Sequence, residues 1–194
     1  MTRRDSGLTL IELLFVVALV STLIAIALPL TADALDRQRC ASAARYLAGR
    51  VYLARMEAVK RSTNVGIKFD AVDADYKFTT YVDGNGNGIR TLDIRLGIDV
   101  SLTSEERLSY TFAGVRFGLM PGVPDVDGDA HSAGGDGVRI GAARILTLGS
   151  NGTATAGTLY VHSRKEQFAV RIFGVTGRTR VLHYHTGERR WVSR

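Results

Sequence analysis

Residues 7–29 read GLTLIELLFVVALVSTLIAIALP, and the reading of this stretch decides the fold. From Leu13 to Leu30 no side chain is charged, and the two hydroxyls, on Ser21 and Thr22, are placed to bond back to helix carbonyls. Counted from Leu8 the run is 23 residues, and about 20 cross the hydrocarbon of a bilayer as a helix. Arg3 and Arg4 precede it, so the positive-inside rule puts the start on the cytoplasmic side and the rest of the chain on the other. No small-x-small cleavage site follows the apolar run, unlike an ordinary secretory signal. Glu12 is the anomaly, because an ionisable group in such a run is costly and needs a reason. It either lies near enough to the interface to stay solvated, or it pairs with a positive charge in an assembly. The run holds no Lys or Arg. A new α-amino group, made by a cut just upstream, would supply the charge.

Gly7, then Leu8-Thr9-Leu10-Ile11-Glu12, then an uncharged helix after a short basic leader, resembles the processing site of type IV pilins and type II secretion pseudopilins. The resemblance implies a prepilin peptidase that cuts between Gly7 and Leu8 and methylates the new N-terminus. Glu12 becomes the fifth mature residue, and its carboxylate neutralises the amine of a neighbouring subunit. Pro29 falls where that family often loosens its helix. The implied partners are other pilins, the peptidase, an inner-membrane assembly platform and the lipid bilayer. The implied location is the inner membrane, with a periplasmic C-terminal domain. The first mature residue is Leu8, where phenylalanine is commoner.

The 194 residues suffice for one helix and one domain with a real core. Twenty-one glycines against three prolines suit a strand-rich domain with many turns. The single cysteine, Cys40, excludes an intrachain disulfide and reads as a small buried apolar group. The net charge of +6 is uneven: residues 64–161 carry −4 and residues 162–194 carry +6. Such asymmetry points to an anionic partner or an electrostatic docking face.

Leu35, Ala43, Leu47, Val51, Ala54 and Ala58 recur at helical spacing, so the helix continues past Pro29, which kinks it or melts a turn. It should stop near residues 60–64, with Asn64 as the stop. Beyond lies a two-residue period, with strands predicted at Val65–Phe69, Tyr76–Val82, Leu108–Phe112, Arg144–Leu148, Thr158–His162, Gln167–Phe173, Thr179–His185 and Trp191–Val192. The expected fold is α+β: a leader at 1–7, a membrane helix at 8–30, its amphipathic continuation at 31–62, and an antiparallel two-sheet domain at 63–194. Long loops at 83–99 and 121–137 separate strands and are expected to be functional or mobile.

The chain has no Gly-x-Ser-x-Gly, zinc-ligand spacing or Walker loop, and reads as non-enzymatic. His183 and His185 share a strand face, where two imidazoles can hold a metal, but no third ligand is evident and a solvated strand face is the preferred reading. Asp83, Asn85 and Asn87 with Gly88 open like a calcium loop, but Ile94 stands where the bidentate acid belongs, and a hairpin turn accounts for the same residues. Asp125, Asp127 and Asp129 form a similar set. The tail carries Arg171, Arg178, Arg180, Arg189 and Arg190 around a Thr176-Gly177 turn. Arg178 and Arg180, two apart, would present guanidinium groups to phosphates from one strand face, with Tyr184 and Trp191 adding stacking. The competing reading pairs those arginines with the acidic loops of the same domain.

LTLGSNGTATAGTLYV followed by a TGR turn resembles the C-terminal half of the GspH/FimT group of minor pseudopilins and pilins. Within that group a GRxR tail motif is implicated in DNA binding, and Gly177-Arg178-Thr179-Arg180 fits it. The resemblance implies a minor pseudopilin of a type II secretion filament or, alternatively, a DNA-binding minor pilin. A calcium-stabilised adhesin built on the two acidic loops is a third reading.

Overall fold

A computed structural model describes residues 9–129 and 134–193, with the backbone alone at 28–30. It divides into two units, Met1–Leu35 and Asp36–Arg194, each described by itself. Helix α1, Leu10–Arg61, runs unbroken through Pro29, so the melted turn expected there is not formed. Proline removes one N–H and leaves one upstream carbonyl without its helical donor, a loss the rest of the ladder outweighs.

In the first unit every described side chain from Thr9 to Ala27 is exposed, and the helix is the one among the described residues long and apolar enough to cross a membrane, with mean hydropathy 2.8 over its most apolar 18 residues. The Thr22 hydroxyl donates to the Ala18 carbonyl at 2.8 Å, so it enters the apolar run already satisfied.

The second unit is built on the amphipathic half of α1. Cys40, Ala43, Ala44, Leu47, Val51, Ala54 and Ala58 are buried. Leu35, expected in this stripe, is exposed. The helix ends at Arg61, inside the expected 60–64 stretch, with Ser62 rather than Asn64 as the stop residue. Ser62 takes φ +53, its N–H donates to Val59, and the Thr63 N–H donates to Ala58. That is a Schellman stop, with serine where glycine is usual.

Eleven strands follow among the described residues: β1 Val65–Val72, β2 Asp75–Val82, β3 Val100–Ser101, β4 Glu106–Arg107, β5 Arg116–Phe117, β6 Val138–Arg139, β7 Ile145–Leu148, β8 Gly157–His162, β9 Gln167–Ile172, β10 Thr179–His185 and β11 Arg190–Ser193. Two short helices interrupt them, α2 Thr91–Arg95 and α3 Leu108–Thr111. The Leu108–Phe112 stretch, expected as a strand, is therefore helical in its first four residues. Leu108 is its buried residue, and a single apolar anchor fits one helical turn as well as a strand.

The strands form two antiparallel sheets. The first has order β3-β2-β1-β7 with β4 beside β2; the second has order β11-β10-β9-β8-β5 with β6 beside β8. The main core lies between the stripe of α1 and the inner faces of both sheets, where Ile67, Phe69, Phe78, Leu146, Leu148, Val161, Phe168 and Val170 meet Leu47 and Val51. A second, smaller core covers the outer face of the second sheet: Leu119 and Val123, from the loop after β5, pack on Tyr160, Ala169, Leu182 and Tyr184. Alternation along β8, β9 and β10 thus buries both faces, as in a sheet covered on both sides.

Candidate functional site

Three sites were expected: the N-terminal processing and pairing residues, the acidic loops, and the basic tail. Gly7 and Leu8 lie outside the described residues. Glu12 lies in the first turn of α1 and is exposed. Its backbone N–H donates to the Thr9 hydroxyl oxygen at 3.3 Å. Thr9-Leu10-Ile11-Glu12 thus has the S/T-x-x-E pattern of a capping box, and a carboxylate there complements the positive pole of the helix. The capping pattern is in the sequence, and it gives Glu12 a local role in addition to any intermolecular one.

The 83–99 loop is organised from within. Asp83 is buried, and its two oxygens accept from the backbone N–H groups of Asn85, Gly86 and Gly88 and from the Asn64 amide. Burial raises its pKa, but the Asn64 amide and the Gly88, Gly86 and Asn85 N–H groups outweigh it and hold the carboxyl below its ordinary value. Asp99, also buried, accepts from the N–H groups of Gly84 and Arg90. Asn87 is exposed. Among the described residues no group of three or more His, Cys, Asp or Glu side chains is placed to hold a metal ion.

The basic tail divides into two. The β9–β10 hairpin turns through Thr176 and Gly177, and Arg178 lies just before β10 with its carbonyl accepting from Phe173 N–H. Arg180 stands directly opposite Arg171 in the antiparallel register. Arg171 is opposite Thr158, and Thr158 is opposite Arg139 of β6. Directly paired residues share a face, so Arg139, Arg171 and Arg180 form one row on the outer face, and strands lie about 4.8 Å apart. Sequence reading did not single out Arg139, because its strand is two residues long. Arg189 and Arg190 belong elsewhere. Arg190 pairs with His185 at the far end of β10, about 17 Å along the strand from Arg180, and it binds Glu188 at 2.5 Å.

Two arginines of the row are already matched by the acidic loop. Arg171 Nη1 lies 2.7 Å from Asp127 Oδ1, and Arg139 forms an ion pair with Asp125. The Asp125 carboxylate also accepts from the Asp127 and Asp129 N–H groups, each at 2.9 Å. Burial raises its pKa, but the Asp129 N–H, Arg139 and the Asp127 N–H together bring it below the ordinary value. Intradomain pairing with an acidic loop therefore holds for these two. Arg178 and Arg180 have no carboxylate partner among the described residues; Arg180 instead lies 5.5 Å from the Phe173 ring. A groove of about 340 Å³ runs beside the row, lined by Asp127, Arg139, Thr158, Tyr160, Arg171 and Phe173. Tyr184 and Trp191 are not placed to stack on a base. Tyr184 is buried, their rings pack 5.3 Å apart, and Trp191 Nε1 donates to the Pro124 and Asp125 carbonyls.

The glycine of the turn answers to the helix. Gly177 has φ +58, and a Cβ there would meet the Gly152 carbonyl oxygen at 2.5 Å and Arg55 Nε at 3.0 Å. Arg55 Nε donates to that same carbonyl at 3.1 Å. One guanidinium of α1 thus bonds to the SNG turn and lies against the glycine of the TGR turn.

Residues 2–28 match the model of the prokaryotic N-terminal methylation motif. The pilin-like protein PilA1 of Thermus thermophilus is 41% identical over 87 residues, 45% of this chain and 53% of that protein. The chain thus spans about half the length of that curated relative. Among solved structures, the minor pseudopilin EpsH of the type 2 secretion system of Vibrio cholerae aligns over 75% of this chain and 97% of its own, at TM-score 0.46 and 18% identity. With its methylation motif at residues 2–28, its apolar helix and its two antiparallel sheets, the chain is type IV pilin-like.

Proposed function

We propose that this chain is a minor pseudopilin, cut between Gly7 and Leu8, methylated on Leu8, and built into a filament of a type II secretion system at the inner membrane. The observation that carries the reading is the helix itself: an uncharged run, exposed at every described side chain to Ala27, opening on one carboxylate, Glu12. An apolar surface of that length in the first unit needs lipid or neighbouring helices around it. In the second unit α1 also leaves Tyr52, Met56 and Val59 exposed at helical spacing, a stripe suited to packing on another subunit. The mechanism is assembly: apolar helices pack, and Glu12 sets register by pairing with the amine of the next subunit.

The test is co-expression with a prepilin peptidase and intact-mass measurement. Loss of residues 1–7 with gain of one methyl group is expected, and Gly7→Val should block both. Glu12→Val should be processed but fail to co-assemble. An unprocessed wild-type chain, or a Glu12 variant that assembles normally, would sink this reading.

A second reading is favoured by the arginine row: a minor pilin that binds DNA through Arg178 and Arg180, with Arg171 beside them. Phosphate contacts give a salt-dependent affinity, so a duplex DNA titration at several salt concentrations separates it from the secretion reading.

A further inference from the structure

His183 and His185 lie two apart on β10, where alternate residues share a face. His183 Nδ1 lies 3.2 Å from His185 Nε2. Two nitrogens bound to one ion at about 2.0–2.1 Å, at angles between square-planar and tetrahedral, stand about 2.9–3.4 Å apart. The far nitrogen of His183, Nε2, lies 2.6 Å from Glu166 Oε2. A carboxylate accepts, so the proton sits on Nε2 and the Nδ1 lone pair faces His185. This is the carboxylate–histidine arrangement that orients metal ligands. Phe168 stacks on the His183 ring at 4.4 Å and fixes its plane. His183 is buried, while His185 is partly exposed and gives access from solvent.

We propose that His183 Nδ1 and His185 Nε2 bind a divalent transition metal, copper(II) most tightly, with Glu166 as the residue that positions His183. In the metal-free chain the same contact is a hydrogen bond from His185 Nε2–H to His183 Nδ1. Moving the His185 proton to its own Nδ1 turns donor into ligand. Water fills the remaining positions, since only two protein ligands converge. Copper(II) leads because imidazole sites follow the Irving–Williams order, with nickel(II) and zinc(II) weaker; calcium, which wants oxygen ligands, is not a candidate. Burial, then the neighbouring His185 and Arg37 charges, push the His183 pKa down against the pull of Glu166. Arg37 opposes a bound cation, and Glu166 offsets it. Cys40, close to the Glu166 carbonyl at 3.6 Å, has its thiol pushed up to about 12, chiefly by burial, and supplies no thiolate.

The test uses the full chain in detergent micelles with one equivalent of copper(II) sulfate, read by electron paramagnetic resonance and by competition with a chelating dye. A copper signal coupled to two nitrogens is expected. His185→Ala should abolish the two-nitrogen coupling, and Glu166→Gln should weaken copper by about 10- to 100-fold. His162→Gln should change neither. Absence of nitrogen coupling in the wild type, its survival in His185→Ala, or its loss in His162→Gln would overturn the site. If His185→Ala fails to fold by circular dichroism, Glu166→Gln decides, and unchanged copper affinity there overturns the assignment.

Discussion

Gly177→Ala is the sharpest test of how the tail hairpin is held. The residue has φ +58, and an L side chain there costs about 1–2 kcal/mol. Space adds a second cost. The new methyl would sit 2.5 Å from the Gly152 carbonyl oxygen and 3.0 Å from Arg55 Nε, so the backbone of one turn must shift. Overpacking of this kind costs about 1–3 kcal/mol. Together the loss is about 2–5 kcal/mol, or about 4–20 °C in melting temperature for a domain of this size. Two controls separate the parts. Gly141 has φ +45 with nothing within 4 Å of an added Cβ, so Gly141→Ala carries the backbone cost alone. Gly187 has neither constraint, so Gly187→Ala should be close to neutral. Thermal unfolding by near-ultraviolet circular dichroism, which reports the packed Trp191, ranks the three. If Gly177→Ala melts no lower than Gly141→Ala, the close approach to Gly152 and Arg55 does not constrain the turn.

Asp127→Asn should strengthen binding of duplex DNA and steepen the slope of log affinity on log salt by about 0.9, because Arg171 is released to take one phosphate. Arg171→Ala in that background should restore the original slope; an unchanged slope in Asp127→Asn would rule out competition between loop and ligand. Acid stability should follow the loop carboxylates. Asp83 and Asp125 titrate below the ordinary 3.8 in the fold, so the unfolded chain binds more protons near that value. Their stabilisation is complete above it and is lost as pH falls through the lowered values. Asp83→Asn should flatten the acid limb of a stability–pH curve, and an identical limb would show that its hydrogen bonds contribute nothing.

The helix and the longer strands were legible because each carries its own period. β10 was read at its observed bounds, and β8 within one residue. The two-residue strands β3 to β6 were not, since two residues cannot show alternation. Arg139 was missed for that reason. The hairpin turn put Arg171 and Arg180 on consecutive strands, but their direct opposition is a matter of register, and the Arg171–Asp127 pair joins residues 44 apart through a loop with no period to follow. Charge alone allowed the tail arginines to meet an acidic loop; Arg171 does so through Asp127, whereas Arg180, opposite it in register, lies against the Phe173 ring. The Thr9–Glu12 cap stands in the sequence as an S/T-x-x-E spacing.

The indole of Trp191 has a practical consequence. It sits on β11, the outermost strand of its sheet, yet it donates to the two carbonyls at Pro124 and Asp125 and packs against Tyr160 and Tyr184. The last strand is therefore a latch on the segment that carries the acidic partners of the arginine row. Peeling β11 away would slacken that segment and unmask positive charge some distance from the break. A purification tag fused after residue 194 would pull on this latch, and nucleic-acid affinity measured on such a fusion would report the state of the latch as well as the strength of the row. A tag placed ahead of Asp36 on the isolated second unit would leave the latch untouched.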